Sequence, residues 1–143
     1  MRYLSLHSNK LTTLPESLGQ LINLSDLQAR GNHITTLPES LGQVININAL
    51  DFSNNQLIKL PENIGLLTNL VKLDLSNNHL TTLPENIGDL SNLRELDLSN
   101  NKLMKLPVSL GQLQNLKILQ LEGNPINNKK EEIEKELSEE RYE

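Results

Sequence analysis

Few side chains in this 143-residue sequence could do chemistry, and their spacing argues against a reaction centre. Cysteine is absent, which removes thiolate nucleophiles, thiolate metal ligands and disulfides and fits a reducing compartment. The only histidines are His7, His33 and His79, and the last two are separated by twice a 23-residue spacing that runs through the chain. If that spacing is one step of a parallel sheet, they lie roughly 10 Å apart, too far to share a metal ion. His7 has Ser5 and Ser8 beside it, yet no carboxylate of its own unit is placed to orient it, so a nucleophilic triad lacks its third member. Asp74 and Asp97 could imitate a glycosidase pair, but an open sheet offers no pocket to desolvate the acid. Glycines are spread at one or two per unit and never cluster, which leaves no phosphate-cradling loop. The sequon at Asn23 has a core leucine, Leu24, at its centre. No catalytic residue, metal or cofactor is expected.

The elements that would hold any site are written in the same spacing. Asparagine recurs at Asn9, Asn32, Asn55, Asn78, Asn101 and Asn124. Proline recurs at Pro15, Pro38, Pro61, Pro84 and Pro107, and glycine at Gly19, Gly42, Gly65, Gly88 and Gly111. A fixed period of this length means stacked units that each contact only their neighbours. Residues 1–126 make about five and a half units, and no polar cap precedes the first. The open first unit predicts self-association through an unpaired strand edge, giving a homo-oligomer.

Within a unit, L-x-x-L-x-L alternates apolar and polar residues, the mark of a strand with one buried face. One strand per unit leaves only parallel pairing with the neighbouring units. The asparagine stands where the chain leaves the sheet, and its amide can bond backbone groups left over by the turn, so the six asparagines should form a buried polar ladder. The L-P-x-x-[I/L]-G half should return along the back as a short helical or 3₁₀ turn, with proline opening it and glycine ending it. Ala29 and Phe52 fill one leucine site in adjacent units, a small residue making room for a large one. From Asn127 the composition changes to a charged stretch with Ile133 and Leu137 four apart, which predicts an amphipathic capping helix over 127–143.

The motif L-x-x-L-x-L-x-x-N-x-L-x-x-L-P-x-x-[I/L]-G-x-L-x-N resembles the leucine-rich repeat family in its 23-residue class. It is similar to repeats of Ras-group signalling scaffolds, plant intracellular proteins, and secreted or surface proteins of bacterial pathogens such as spirochaetes. The resemblance implies an α/β solenoid or horseshoe, with a parallel β-sheet on the concave face, helical or 3₁₀ turns on the convex face, and a protein-interaction role for the concave sheet.

On that face the columns between the leucines are the candidate contacts. One reads Ser5, Gln28, Asp51, Asp74, Asp97, Gln120; a second Tyr3, Asp26, Ala49, Lys72, Glu95, Ile118; a third His7, Arg30, Ser53, Ser76, Ser99, Glu122. The aspartates form a like-charged ridge at a spacing of about 5 Å. Two readings stand: consensus filler neutralised by Lys72 and Arg94, or a docking face for a basic or polar partner. The face to test comprises Tyr3, Asp26, Gln28, Arg30, Asp51, Lys72, Asp74, Arg94, Glu95, Asp97, Ile118 and Gln120.

Charge bounds the partner. The net charge of -5 divides into -3 for 127–143 (four basic, seven acidic) and -2 for the repeats, which argues against nucleic acid. No apolar run reaches the ~18 residues of a membrane span, and the N-terminus has no signal-peptide core. The expected protein is a non-catalytic binding module, cytoplasmic or exported without a classical signal. The alternatives are an effector-like protein of a bacterial pathogen acting on host proteins, or the sensor fragment of a larger enzyme.

Overall fold

The computed structural model describes residues 1–126; the expected capping helix over 127–143 lies outside the described residues. Six three-residue strands follow the repeat: β1 (Tyr3–Ser5), β2 (Asp26–Gln28), β3 (Ala49–Asp51), β4 (Lys72–Asp74), β5 (Glu95–Asp97) and β6 (Ile118–Gln120). They form one parallel sheet in sequence order, and each pairing is shifted by one whole unit, as in Leu50 opposite Leu73. The register is forced. A slip of one residue would turn the buried leucine of every strand to solvent.

Each unit returns along the opposite face through a five-residue 3₁₀ turn, such as Glu62–Leu66 or Glu85–Asp89, and the interior between sheet and turns is one continuous apolar core. This is the horseshoe-type solenoid that the repeat implies. Ala29 and Phe52, the small and large occupants of one leucine site, are both fully buried.

The punctuation of the turn differs from expectation. The prolines do not open the helical turn from inside it: Pro61 and Pro84 precede it with extended backbone (ψ 147° and 148°), and their carbonyls accept from the amides of Ile64 and Ile87. The glycines do not end it either, for Gly65 and Gly88 lie within the turn and have no positive φ. They are small because the neighbouring turn presses on them. A Cβ on Gly65 would stand 2.6 Å from the Asn86 carbonyl oxygen.

Positive φ belongs to another column, the residue before each ladder asparagine: Ser8, Gly31, Asn54, Asn77, Asn100 and Gly123. The left-handed region is open to glycine and tolerated by asparagine. At Gly31 (φ 74°) a Cβ would meet nothing closer than 3.5 Å. Asparagine holds this conformation in units three to five, so Gly31→Asn is expected to leave the urea midpoint within about 0.5 kcal/mol of wild type, whereas Gly31→Val is expected to cost about 1–2 kcal/mol.

The asparagine ladder is present, with one correction. Asn32, Asn55, Asn78, Asn101 and Asn124 are buried, but Asn9 is exposed. From the second unit onward, each asparagine bonds its own turn and the unit before it; Asn9 bonds only Leu6 and His7 of its own turn. A second ladder runs along the outside. Asn46, Asn69, Asn92 and Asn115 each donate to a carbonyl of the preceding unit, at Ile22, Ile45, Thr68 and Ser91 (2.8–2.9 Å). Its signal was the last asparagine of the motif, to which sequence reasoning assigned no role.

Candidate partner-binding face

Two of the three predicted columns line the concave sheet in strict register. Tyr3, Asp26, Ala49, Lys72, Glu95 and Ile118 form one row, and Ser5, Gln28, Asp51, Asp74, Asp97 and Gln120 the other. Their side chains cannot turn inward, because the leucine between them fills the core.

The aspartate ridge has a different character from a row of free charges. Asp51, Asp74 and Asp97 are half-buried, and one carboxylate oxygen of each accepts from both the amide and the hydroxyl of the serine two residues on. These distances are 2.9 and 2.6 Å to Ser53, 3.0 and 2.7 Å to Ser76, and 3.0 and 2.7 Å to Ser99. The residue i to i+2 bond holds the backbone as the chain leaves the strand. Repulsion along the ridge is offset by these six donors, so Asp and Ser are chosen together.

The third column does not face out as a whole. Ser53 and Ser76 are buried, turned onto their aspartates. Unit two departs from this pairing: Gln28 stands at the aspartate site and donates to Asp26 at 2.5 Å, while the Arg30 amide is taken by His7 Nδ1 of unit one at 3.0 Å. Arg30 is exposed just past its strand. His7, the histidine nearest to a serine, is thus engaged with backbone.

Arg94 is exposed, one residue ahead of β5. It lies in the column of Arg2, Ser25 and Asn48; those three, with Asn23 and Asn46, line a polar recess on the flank of the stack. Lys72, which shares the upstream row with Glu95, is the cation that reaches the face, at 3.8 Å from the Glu95 carboxylate with both side chains well exposed. Such a pair contributes at most about 1 kcal/mol, so both groups are available to a ligand.

The face deepens toward β6. Lys72, Asp74, Glu95, Asp97, Ile118 and Gln120 surround a shallow depression of about 170 Å³, with the Ile118 side chain 45% exposed at its edge. An apolar anchor beside one cation and three carboxylates suits a polypeptide surface with an apolar residue and a positive charge. Tyr3 is exposed at the far end of the sheet, five strands from Ile118. Among the described residues no three His, Asp or Glu side chains converge to hold a metal ion, and no helix is long and apolar enough to cross a membrane.

Comparison with known proteins agrees with this architecture. The Leucine rich repeat family matches residues 68–126, and a second description of the same repeat matches residues 1–21. No curated protein matches the chain. Among solved structures, it is similar to PEPR1-AtPEP1, with TM-score 0.77 and 29% identity, over 86% of this chain and 18% of that one. It is also similar to the LRR ectodomain of the Arabidopsis thaliana plant membrane receptor kinase GASSHO1/SCHENGEN3 in complex with CASPARIAN STRIP INTEGRITY FACTOR 2, with TM-score 0.80 and 35% identity, over 87% of this chain and 16% of that one. The chain therefore spans less than a fifth of either structure.

Proposed function

Because the chain belongs to the leucine-rich repeat family, we propose that it is a non-catalytic module that binds a partner protein on its concave sheet. The observation that carries this reading is the depression at β4–β6, where exposed Ile118 stands beside Lys72, Glu95 and Gln120 on a rigid sheet. A preformed surface loses little conformational entropy on association, so a small anchor set suffices. The GASSHO1/SCHENGEN3 ectodomain, in complex with its factor, supports the same use of the fold. The same face would serve an exported bacterial effector or the sensor part of a larger enzyme.

The test is a pull-down with mass spectrometry comparing the wild type with Lys72→Glu combined with Ile118→Glu. One protein enriched by the wild type and lost by the variant is the expected result. Recovery of the same set by both would overturn the assignment to this face. Changing the aspartates instead would mix binding with stability, since each holds a serine amide and hydroxyl.

A further inference from the structure

The five complete units form an internal alignment, and departures from it on solvent-facing sites show where a surface was chosen for something beyond stacking. Three positions after the ladder asparagine, the units carry Thr12, Thr35, Ile58, Thr81 and Met104; the next column reads Thr13, Thr36, Lys59, Thr82 and Lys105. Units three and five thus replace Thr-Thr with an apolar residue and a lysine. Unit five makes one further change, with Val108 where the earlier units have Glu16, Glu39, Glu62 and Glu85. None of these apolar side chains is core: Ile58, Met104 and Val108 are 53%, 75% and 73% exposed. Exposed apolar groups against a polar repeat background mark an interaction surface.

The surrounding charge specifies the partner. The rim segments 8–13, 31–36, 54–59, 77–82 and 100–105 contain no aspartate or glutamate, and they hold Lys10, Lys59, Lys102 and Lys105. Lys102 stands on one side of Met104 and Lys105 on the other, both exposed. Beside them Thr82, Glu85, Lys105, Leu106 and Val108 help to line a groove of about 230 Å³ on the rim between units four and five. One acidic side chain, Glu85, also lines this groove, and Glu62 holds the same site in unit three.

The backbone specifies the partner's shape. Rim amides are already bonded from unit to unit, as in Gln56 N–H to the Ile34 carbonyl (3.0 Å), His79 to Leu57 (2.9 Å) and Lys102 to Leu80 (2.8 Å). An α-helix satisfies its own backbone polar groups, so it needs only side-chain contacts with this rim. Ile58 and Met104 are two units apart, roughly 10 Å at strand spacing, which matches seven residues of α-helix at 1.5 Å each.

We propose that the rim from Ile58 to Val108 is a second docking surface, separate from the concave face, for an amphipathic helix of a partner protein whose apolar stripe is flanked by glutamate or aspartate. Its apolar residues at i and i+7 cover Ile58 and Met104, and its carboxylates lie over Lys59, Lys102 and Lys105, which outnumber Glu62 and Glu85.

The test is fluorescence anisotropy with a labelled synthetic helical peptide carrying leucine at i, i+4 and i+7 and glutamate on the flanking positions. Saturable binding at low ionic strength is expected, weakened at least ~10-fold by Ile58→Glu combined with Met104→Glu and by added salt. Ile118→Glu, on the concave face, is expected to leave it unchanged. These sites are exposed, so urea midpoints equal to wild type will show that the variants fold. The proposal is overturned by absence of binding, by equal binding of a lysine-flanked peptide, or by binding insensitive to the rim variant. It is also overturned if a peptide of residues 127–143 binds the rim equally well, since the occupant is then the chain's own C-terminal segment.

Discussion

Asn78→Ala is expected to lower unfolding stability by about 2–3 kcal/mol. The Asn78 amide oxygen accepts from the Leu57 amide at 2.9 Å, and its nitrogen donates to the carbonyls of Phe52 and Leu75 at 3.0 Å and of Ser76 at 3.2 Å. The side chain is 4% exposed. Alanine would strand the buried Leu57 amide, which costs about 1–3 kcal/mol. The three carbonyls each lose one donor and keep another, Phe52 from the Asn55 side chain, Leu75 from the Asn101 side chain and Ser76 from the Asn54 amide. Asn9→Ala is the control. Asn9 is exposed and bonds only its own turn, so a change within about 0.5 kcal/mol is expected. Urea midpoints of the two variants decide the matter. Equal shifts would mean that the ladder acts within each turn and does not join units.

Gly88→Ala is the second, and here the sign itself is informative. Were Gly88 an ordinary helix residue, alanine would stabilise by about 0.5–1 kcal/mol, because glycine loses more backbone entropy on folding. In the structure a Cβ at Gly88 would lie 2.5 Å from the carbonyl oxygen of Ser109 and 2.6 Å from its Cβ. The oxygen belongs to backbone that anchors the next turn, so relief requires adjacent units to move apart. A loss of about 3 kcal/mol is expected, as for an overpacked core. Stabilisation in thermal or urea unfolding would refute close packing between turns. Contacts in a solenoid are only between neighbours, so both substitutions should loosen the boundary between units four and five or three and four, visible as local loss of amide exchange protection.

The expected concave contacts gain and lose members once the geometry is known. Asp51, Asp74 and Asp97 read as a charged ridge in sequence, because periodicity reports which residues share a row and says nothing of what each side chain bonds. The serine two positions on was visible, but its hydroxyl could as well have faced solvent. Ile118 and Lys72 were legible as strand positions, yet only the fold shows that they border one depression with Asp97 and Gln120.

The sequence by itself determined the repeat, the parallel sheet and its register, the 3₁₀ return and the buried asparagines from unit two onward. Each follows from a period of 23 and from alternation within a strand, which are properties of single residues at fixed steps. The tertiary structure alone decided why glycine is required in the turns, which column holds positive φ, which asparagine escapes the ladder, and which exposed residues are neighbours. These depend on distances between units, such as the 2.5 Å left for a Cβ at Gly88, and no pattern along one chain encodes a gap between two surfaces.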